Sequence, residues 1–395
     1  MKIARFITLF PYPESFDNPD LFNRYPVGGA NIETYHLARN LVNLGHKEVV
    51  FCASIDSESH VEEFEGMRIF RCATNFGIQK ARFSFGLFIK PFKQEVDLVH
   101  IHFTVPIAEL AGFFYAKVKN KPFVVTFHGE PEGGYGTLLR RIGISFYRLS
   151  LPMILSGAKY IIVRSENYIG LTRFLTKYRK KIIAIPCGIN PEEMEVPYTK
   201  EECRKKLALS AEDNIILFVG NLINYKSPNL LIEALPQIIE KKAETSLVLV
   251  GGGPMLPDLE KLAQKLNMPG RVRFAGHISD DLKKMYYKAA DIFVLPSTGV
   301  AESFGNVVLE AAAAGLPIVV SSLETFRAFI EDGHNGIIAK AGDIDSLAEA
   351  ISRLISQPTL RRKLSKNAKN KVKSYSRQVL AKKTAELYLR AIKGA

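Results

Sequence analysis

Residues 302–310 read ESFGNVVLE, two carboxylates bracketing an apolar run that opens on a glycine and an asparagine. Gly305 interrupts the pattern just ahead of an Ala-rich segment, so a helix is expected to begin near Phe304–Val307. Such a start exposes unpaired backbone N–H groups at the positive end of the helix dipole, which suits a phosphate. Glu310, within the first turn or two, is expected on the ligand side, where a carboxylate can accept two hydrogen bonds from a vicinal diol such as a ribose. Glu302, on the preceding loop, can reach a second set of hydroxyls. Two acids placed favourably near a helix N-terminus would give the same spelling with no ligand at all.

Elements able to hold such loops recur along the chain. Short continuous runs rich in Val, Ile and Phe, among them KIARFITLF, DLVHIHF, KPFVVTFHG, NIILFVG, SLVLVGGG and DIFVLPS, alternate with helical segments such as ANIETYHLARNLVNLG and SPNLLIEALPQIIEKK. Continuous runs indicate strands covered on both faces, hence parallel α/β sheets of the βαβ type. At 395 residues the chain exceeds one ordinary core, so two doubly wound, Rossmann-like domains are expected. The series pauses at residues 190–207, NPEEMEVPYTKEECRKKL, where proline and charge cluster, and the interdomain linker is placed there. Ligands on such sheets bind at the carboxyl ends of the strands.

Composition narrows the classes. Nearly half the residues are apolar, mean hydropathy is close to zero, and no run reaches bilayer-spanning length, which suits a soluble enzyme. The opening MKIARFITLFPYP ends in Pro11 and Pro13 without a small-residue cleavage site and reads as a first strand, not a leader. Cys52, Cys72, Cys187 and Cys203 are scattered, with no metal-type or disulfide-type spacing, which points to a reducing cytosol. The net charge of +13 is uneven: a basic first half, a mildly acidic middle, and a tail (359–395) with twelve Lys or Arg against one acid, Glu386. That imbalance favours an anionic partner. Nucleic acid fits the charge but lacks any reading motif.

The stretch from RVRFAGHISDDLKKMYYKAADIFVLPS through ESFGNVVLEAAAAGLPIVVSS resembles the donor-binding region of glycosyltransferase family 4, enzymes of the GT-B fold. YPVGGANIETYHLARNLVNLG is similar to that family's glycine loop and first helix, TFHGE to its histidine loop, IPCGIN to its interdomain strand end, and FVGNLINYKSPNLLIEAL to its basic donor loop. The resemblance covers nearly the whole chain. It implies two Rossmann-like domains with the cleft between them: 1–195 on the acceptor side, 196–375 binding a nucleotide sugar, and a helix over 376–395 returning to the first domain.

It also implies roles. Glu310 would hold the ribose, Glu302 the donor-sugar hydroxyls, and the amides of Phe304, Gly305, Asn306 and Val307 the diphosphate. Lys226 would neutralise the leaving diphosphate, against the alternative of a solvated loop lysine. Gly28 and Gly29 would let backbone approach phosphate, or simply make a tight turn. His128, at the carboxyl end of FVVTF, would touch the transferred sugar, against a buried or capping histidine; His102 reads as structural. The base would be read near Gly276 and His277. The implied reaction is retaining transfer of a hexose-type sugar to a hydroxyl acceptor, with no obligatory metal or other cofactor. The DIDS at 343–346 falls at a late helix start, not at a metal motif. An epimerase of the same architecture and a non-catalytic nucleotide-sugar binder are the competing readings.

Three departures stand out. Asn221 replaces a common arginine, Ser227 a glycine, and Glu324 with Thr325 a glycine pair on the loop facing the donor sugar. Residues 76–94 and 135–155 interleave Lys or Arg with Phe, Tyr, Leu and Ile and contain no acid. They read either as interfacial helices that dock on an anionic membrane through Lys80, Arg82, Lys90 and Lys93, or as ordinary helices packed on the sheet. A cytoplasmic enzyme, associated with the membrane when its acceptor is lipid-linked, is the corresponding expectation.

Overall fold

The computed structural model describes residues 1–395 apart from 17–23, 26, 79–80, 105–106, 130–137, 173, 269, 300–301, 303 and 395. The chain divides into two compact units: Met1–Cys187 together with Arg377–Ala395, and Gly188–Ser376.

The strands of the first unit are β1 (Lys2–Phe6), β2 (Lys47–Ala53), β3 (His60–Phe64), β4 (Met67–Cys72), β5 (Phe76–Ile78), β6 (Ala81–Phe83), β7 (Leu98–Phe103), β8 (Phe123–Phe127), β9 (Tyr160–Val163) and β10 (Ile182–Ala184). Its helices are α1 (Gly29–Asn43), α2 (Ala108–Val118) and α3 (Leu138–Gly157). Eight strands form one sheet in the order β10-β9-β8-β7-β1-β2-β4-β3, parallel except for β3. The antiparallel β3 and the β5–β6 hairpin stand outside the expected strand series. β3 is an edge strand whose residues are largely exposed, so it has no apolar run to reveal it.

The second unit contains α4 (Lys200–Lys206), β11 (Asn214–Val219), α5 (Asn229–Lys241), β12 (Thr245–Val250), α6 (Leu256–Lys265), β13 (Val272–Gly276), α7 (Asp280–Ala289), β14 (Ile292–Leu295), α8 (Asn306–Ala313), β15 (Ile318–Ser321), β16 (Ile337–Ala339), α9 (Ile344–Ser356) and α10 (Pro358–Val372). Its six strands pair in the order β13-β12-β11-β14-β15-β16, all parallel. α4 begins inside the stretch read as linker, where Thr199 and Glu202 cap its first turn reciprocally.

After a short 3₁₀ turn at Lys373–Tyr375, α11 (Arg377–Lys393) belongs to the first unit. Ala381, Ala385, Tyr388 and Ala391 pack with Ile3, Leu41, Leu98 and Val124 on one face of the sheet. The other face buries Phe6, Phe51, Ile101, Phe103, Val125 and Leu151. Strand periodicity explains the division, since successive residues of β1, β7 and β8 point to opposite faces.

Both sheets reverse winding direction beside their first strand. β1 lies between β2 and β7, and β11 between β12 and β14. Loops leaving the carboxyl ends at such reversals diverge and leave room for a ligand.

Candidate active site

In the second unit the loops after β11 and β14, neighbours at the reversal, carry Lys226 and Glu302. The ammonium of Lys226 donates to Glu302 Oε2 at 2.6 Å, and both residues are buried. Ser297 Oγ donates to the same oxygen at 3.2 Å. The amide of Thr298 donates to Tyr225 O at 2.8 Å and the Ser227 hydroxyl meets Thr298 Oγ1 at 2.7 Å, so the two loops are tied to each other. Beneath them the loop after β12 packs backbone against backbone. A Cβ on Gly253 would come within 2.4 Å of Leu222 O, which only glycine permits.

Gly305 begins α8 with a φ of 78°, and a Cβ there would lie 2.9 Å from the Phe326 ring. No side chain caps this terminus. The amides of Asn306 and Val307 belong to the first turn, whose N–H groups have no partner within the helix. Phe304 is buried, and its ring lies 6.2 Å from that of Tyr375, so only its backbone is available to a ligand. Asn221 is half-buried, and its side chain makes no hydrogen bond to a described residue.

One turn into α8, Glu310 is held from α7. Lys283 Nζ reaches Oε1 at 3.2 Å and Tyr287 Oη donates to Oε2 at 2.9 Å. Burial disfavours the Lys283 ammonium, but Glu310 and Asp280 outweigh it and hold its pKa above the ordinary lysine value. Each carboxylate oxygen of Glu310 thus has one partner and spare acceptor capacity. Lys283 and Tyr287 escaped sequence reasoning. In DDLKKMYYKAAD their i, i+4 spacing is the available signal, yet it is also the spelling of a solvated helix face.

In the first unit Gly28 precedes α1, and its own N–H donates to Asn31 Oδ1 at 3.0 Å while Asn31 Nδ2 donates to Leu9 O at 2.6 Å. Neither Gly28 nor Gly29 takes a positive φ, so the pair is not required by backbone conformation. His128, half-buried, follows β8, and its Nε2 is 3.0 Å from His102 Nδ1.

His102 belongs to a buried polar stripe formed by alternate residues of the central strands: Arg5 on β1, Glu48 on β2, His100 and His102 on β7, Thr126 on β8. Arg5 Nε and Nη2 donate to the two oxygens of Glu48 at 2.9 and 2.8 Å. Arg5 Nη1 lies 3.0 Å from His100 Nδ1 and 2.6 Å from His102 Nε2. Tyr388 of α11 completes the stripe, its hydroxyl 2.5 Å from His100 Nδ1 and 3.4 Å from Arg5 Nη2. Burial first, then the neighbouring arginines, push His100 well below the usual histidine range. Burial and then Arg164 do the same to His128.

Residues 27–193 match the family described as Glycosyltransferase Family 4, and residues 199–371 match Glycosyl transferases group 1. A glycosyltransferase of Methanocaldococcus jannaschii, MJ1607, is 29% identical over 92% of this chain and 94% of its own. The alpha-monoglucosyldiacylglycerol synthase of Acholeplasma laidlawii is 28% identical over 77% of this chain and 79% of its own. Among solved structures, Anabaena Alr3699/HepE in complex with UDP-glucose superposes with a TM-score of 0.77 at 18% identity, over 98% of this chain and 99% of that one.

Proposed function

The chain belongs to the family 4 glycosyltransferases, and from that premise we propose that it moves a hexose-type sugar from a nucleoside-diphosphate sugar to a hydroxyl acceptor with retention of configuration. The observation that carries this reading is the grouping of Lys226, Glu302, the uncapped start of α8 and Glu310 on and beside the loops that leave β11 and β14. The α8 terminus receives the diphosphate and Glu310 the ribose diol, with Lys283 and Tyr287 fixing the carboxylate. Lys226 uses one of its three N–H groups on Glu302. The others stay available for the leaving diphosphate, whose charge grows in the transition state. Glu302, which accepts from both Lys226 and Ser297, turns its remaining acceptor sites to hydroxyls of the sugar. His128 is read as a contact to the transferred sugar. Catalysis then rests on positioning and on stabilising the departing group.

The donor is read by thermal shift with UDP, GDP and ADP, followed by transfer assays with the matching sugar nucleotides and the anomer assigned by NMR. Glu310→Ala is expected to weaken nucleotide binding by about 1.5–3 kcal/mol, the worth of a charged hydrogen bond. Tyr287→Phe is expected to lose a smaller part of it. Donor that is interconverted without transfer would favour the epimerase, and unchanged affinity in Glu310→Ala would remove the ribose assignment.

The acceptor is proposed to be membrane-borne; the Acholeplasma relative is named for making a glucosyldiacylglycerol. In the first unit Phe85, Ile89, Phe114 and Val118 are about half or more exposed, on the 3₁₀ segment after β6 and the α2 helix that packs against it. Lys90, Lys93 and Lys117 stand on those same elements. Apolar side chains among lysines suit an anionic lipid surface. Arg82 does not join them: its guanidinium donates to Ile55 O and Arg24 O and lies over the Tyr25 ring. Lys80 lies outside the described residues. Flotation with anionic vesicles, reversed by salt and by Lys90→Gln/Lys93→Gln, is the expected result. Equal recovery with neutral vesicles, or none with either, would leave a soluble acceptor.

A further inference from the structure

Arg5 carries five N–H groups and the structure supplies five acceptors: both Glu48 oxygens, His100 Nδ1, His102 Nε2 and the Tyr388 hydroxyl. An arginine can only donate. His102 Nε2 is therefore an acceptor, and a neutral His102 carries its proton on Nδ1. That Nδ1–H faces His128 Nε2 and Thr34 Oγ1, each at 3.0 Å. The Thr34 hydroxyl spends its own proton on Ala30 O at 2.7 Å, so its oxygen accepts as well. A proton on His128 Nε2 would set two N–H donors against each other at 3.0 Å. His128 Nε2 is therefore bare, and the proton of the neutral ring sits on Nδ1, which makes no hydrogen bond to a described residue.

His100 obeys the same constraint. Tyr388 accepts from Arg5, and the single lone pair of His100 Nδ1 is shared between the Tyr388 hydroxyl proton and Arg5 Nη1–H, leaving His100 Nε2–H to donate to Thr126 Oγ1 at 2.7 Å. Every member of the stripe thus has one assignment, and all follow from the fixed cation of Arg5.

We propose that Arg5, clamped by Glu48 and Tyr388, acts through His102 as a set of positioning residues that lock His128 as its Nδ1–H tautomer, so that His128 meets its ligand as a hydrogen-bond donor and not as a base. The proposal rests on the reading of His128 as a sugar contact and adds what that contact is: an N–H offered to a sugar hydroxyl oxygen. Geometry and charge agree: burial, and then the Arg164 guanidinium, hold the His128 ring well below the usual histidine range. Tyr388 brings α11 into the arrangement from the far end of the chain.

Long-range ¹H–¹⁵N correlation on the full-length protein tests this directly, with the His128 signals assigned by their loss in His128→Gln. The expected pattern is a neutral ring protonated on Nδ1, unchanged across the pH range in which an exposed histidine titrates. A ring protonated on Nε2, or one that titrates there, overturns the proposal. His102→Leu removes the donor to His128 and is expected to mix the tautomers, give kcat/KM a histidine-like pH dependence, and lower it about tenfold, the worth of one hydrogen bond. His102→Asn places an amide N–H where Nδ1 stood and should restore the single tautomer and the flat pH profile. If both variants behave alike, His102 acts only through packing and the relay is overturned. If the wild-type tautomer is as expected but His128→Gln keeps full turnover, the relay stands and the sugar contact falls.

Discussion

Arg5–Glu48 and Lys226–Glu302 are both buried ion pairs beside the strand where a parallel sheet reverses its order, and they are finished in opposite ways. Arg5 and Glu48 sit within neighbouring central strands, fully buried, with a partner for every arginine N–H. Lys226 and Glu302 sit on loops after the strands, with one bond between them and, among the described residues, ammonium protons to spare. The first pair has no arginine N–H left for a ligand. The second can exchange partners, which is what a leaving-group cation needs. Position relative to the strand end decides which of the two a buried pair becomes.

The sharpest way to break that contrast is to remove each cation. Arg5→Ala strands Glu48 in the middle of a sheet with no route to water, and about 3–5 kcal/mol of stability should be lost in chemical denaturation. Lys226→Ala leaves Glu302 on a loop, from which it can turn to solvent. Stability should fall by no more than about 1 kcal/mol while kcat falls roughly 10²–10³-fold. Equal stability losses in the two variants would end the distinction between scaffold pair and working pair.

How much of this the sequence discloses follows the same line. Parallel strands are legible because burial on both faces leaves uninterrupted apolar runs, and Gly305 with Glu310 is legible because helix starts have a spelling. Lys226 is visible only through the resemblance, since a lysine on a loop after FVGNLINY is more often solvated. Arg5 is harder still. KIARF reads simply as part of an apolar strand, although Glu48, His100, His102 and Thr126 occupy matching alternate positions of neighbouring strands and His128 follows the end of β8. Seeing the stripe requires the strand order, which sequence alone leaves open. Tyr388, 383 residues away from Arg5 in the chain, carries no local signal.

Glu109 sharpens the comparison from the side of a carboxylate with no cation. It lies in the first turn of α2, 1% exposed, and among the described residues neither oxygen has a hydrogen-bond partner beyond the residue's own amide. Burial pushes its pKa up from 4.5 to about 8. The folded state therefore keeps a proton that the unfolded chain releases above 4.5. The stability this contributes is complete below 4.5 and is lost as pH rises through about 8. Glu109→Gln keeps the shape and removes the titration. Across that window the wild type should lose stability relative to the variant by roughly 1.4 kcal/mol per pH unit. Parallel urea-denaturation profiles for the two proteins would mean that Glu109 finds a partner or water.

Ser227 tests the working pair most finely, because it follows Lys226 and takes a conformation that favours glycine. Its φ is 49°, a left-handed value that costs a residue with a Cβ about 1–2 kcal/mol. Its hydroxyl donates to Asn224 O at 3.0 Å and meets Thr298 Oγ1 at 2.7 Å, tying the Lys226 loop to the loop that leads to Glu302. Strain and hydrogen bonds of similar size nearly cancel, which explains how serine stands where the family resemblance implies glycine. Ser227→Gly should thus be almost neutral in stability, whereas Ser227→Ala keeps the strain, loses the bonds, and should cost about 1 kcal/mol. Turnover separates the two effects. If the tie positions Lys226 against Glu302, both variants should lose the same modest factor in kcat, on the order of threefold to tenfold. A glycine variant with wild-type kcat would show that the hydroxyl serves only to offset its own backbone strain.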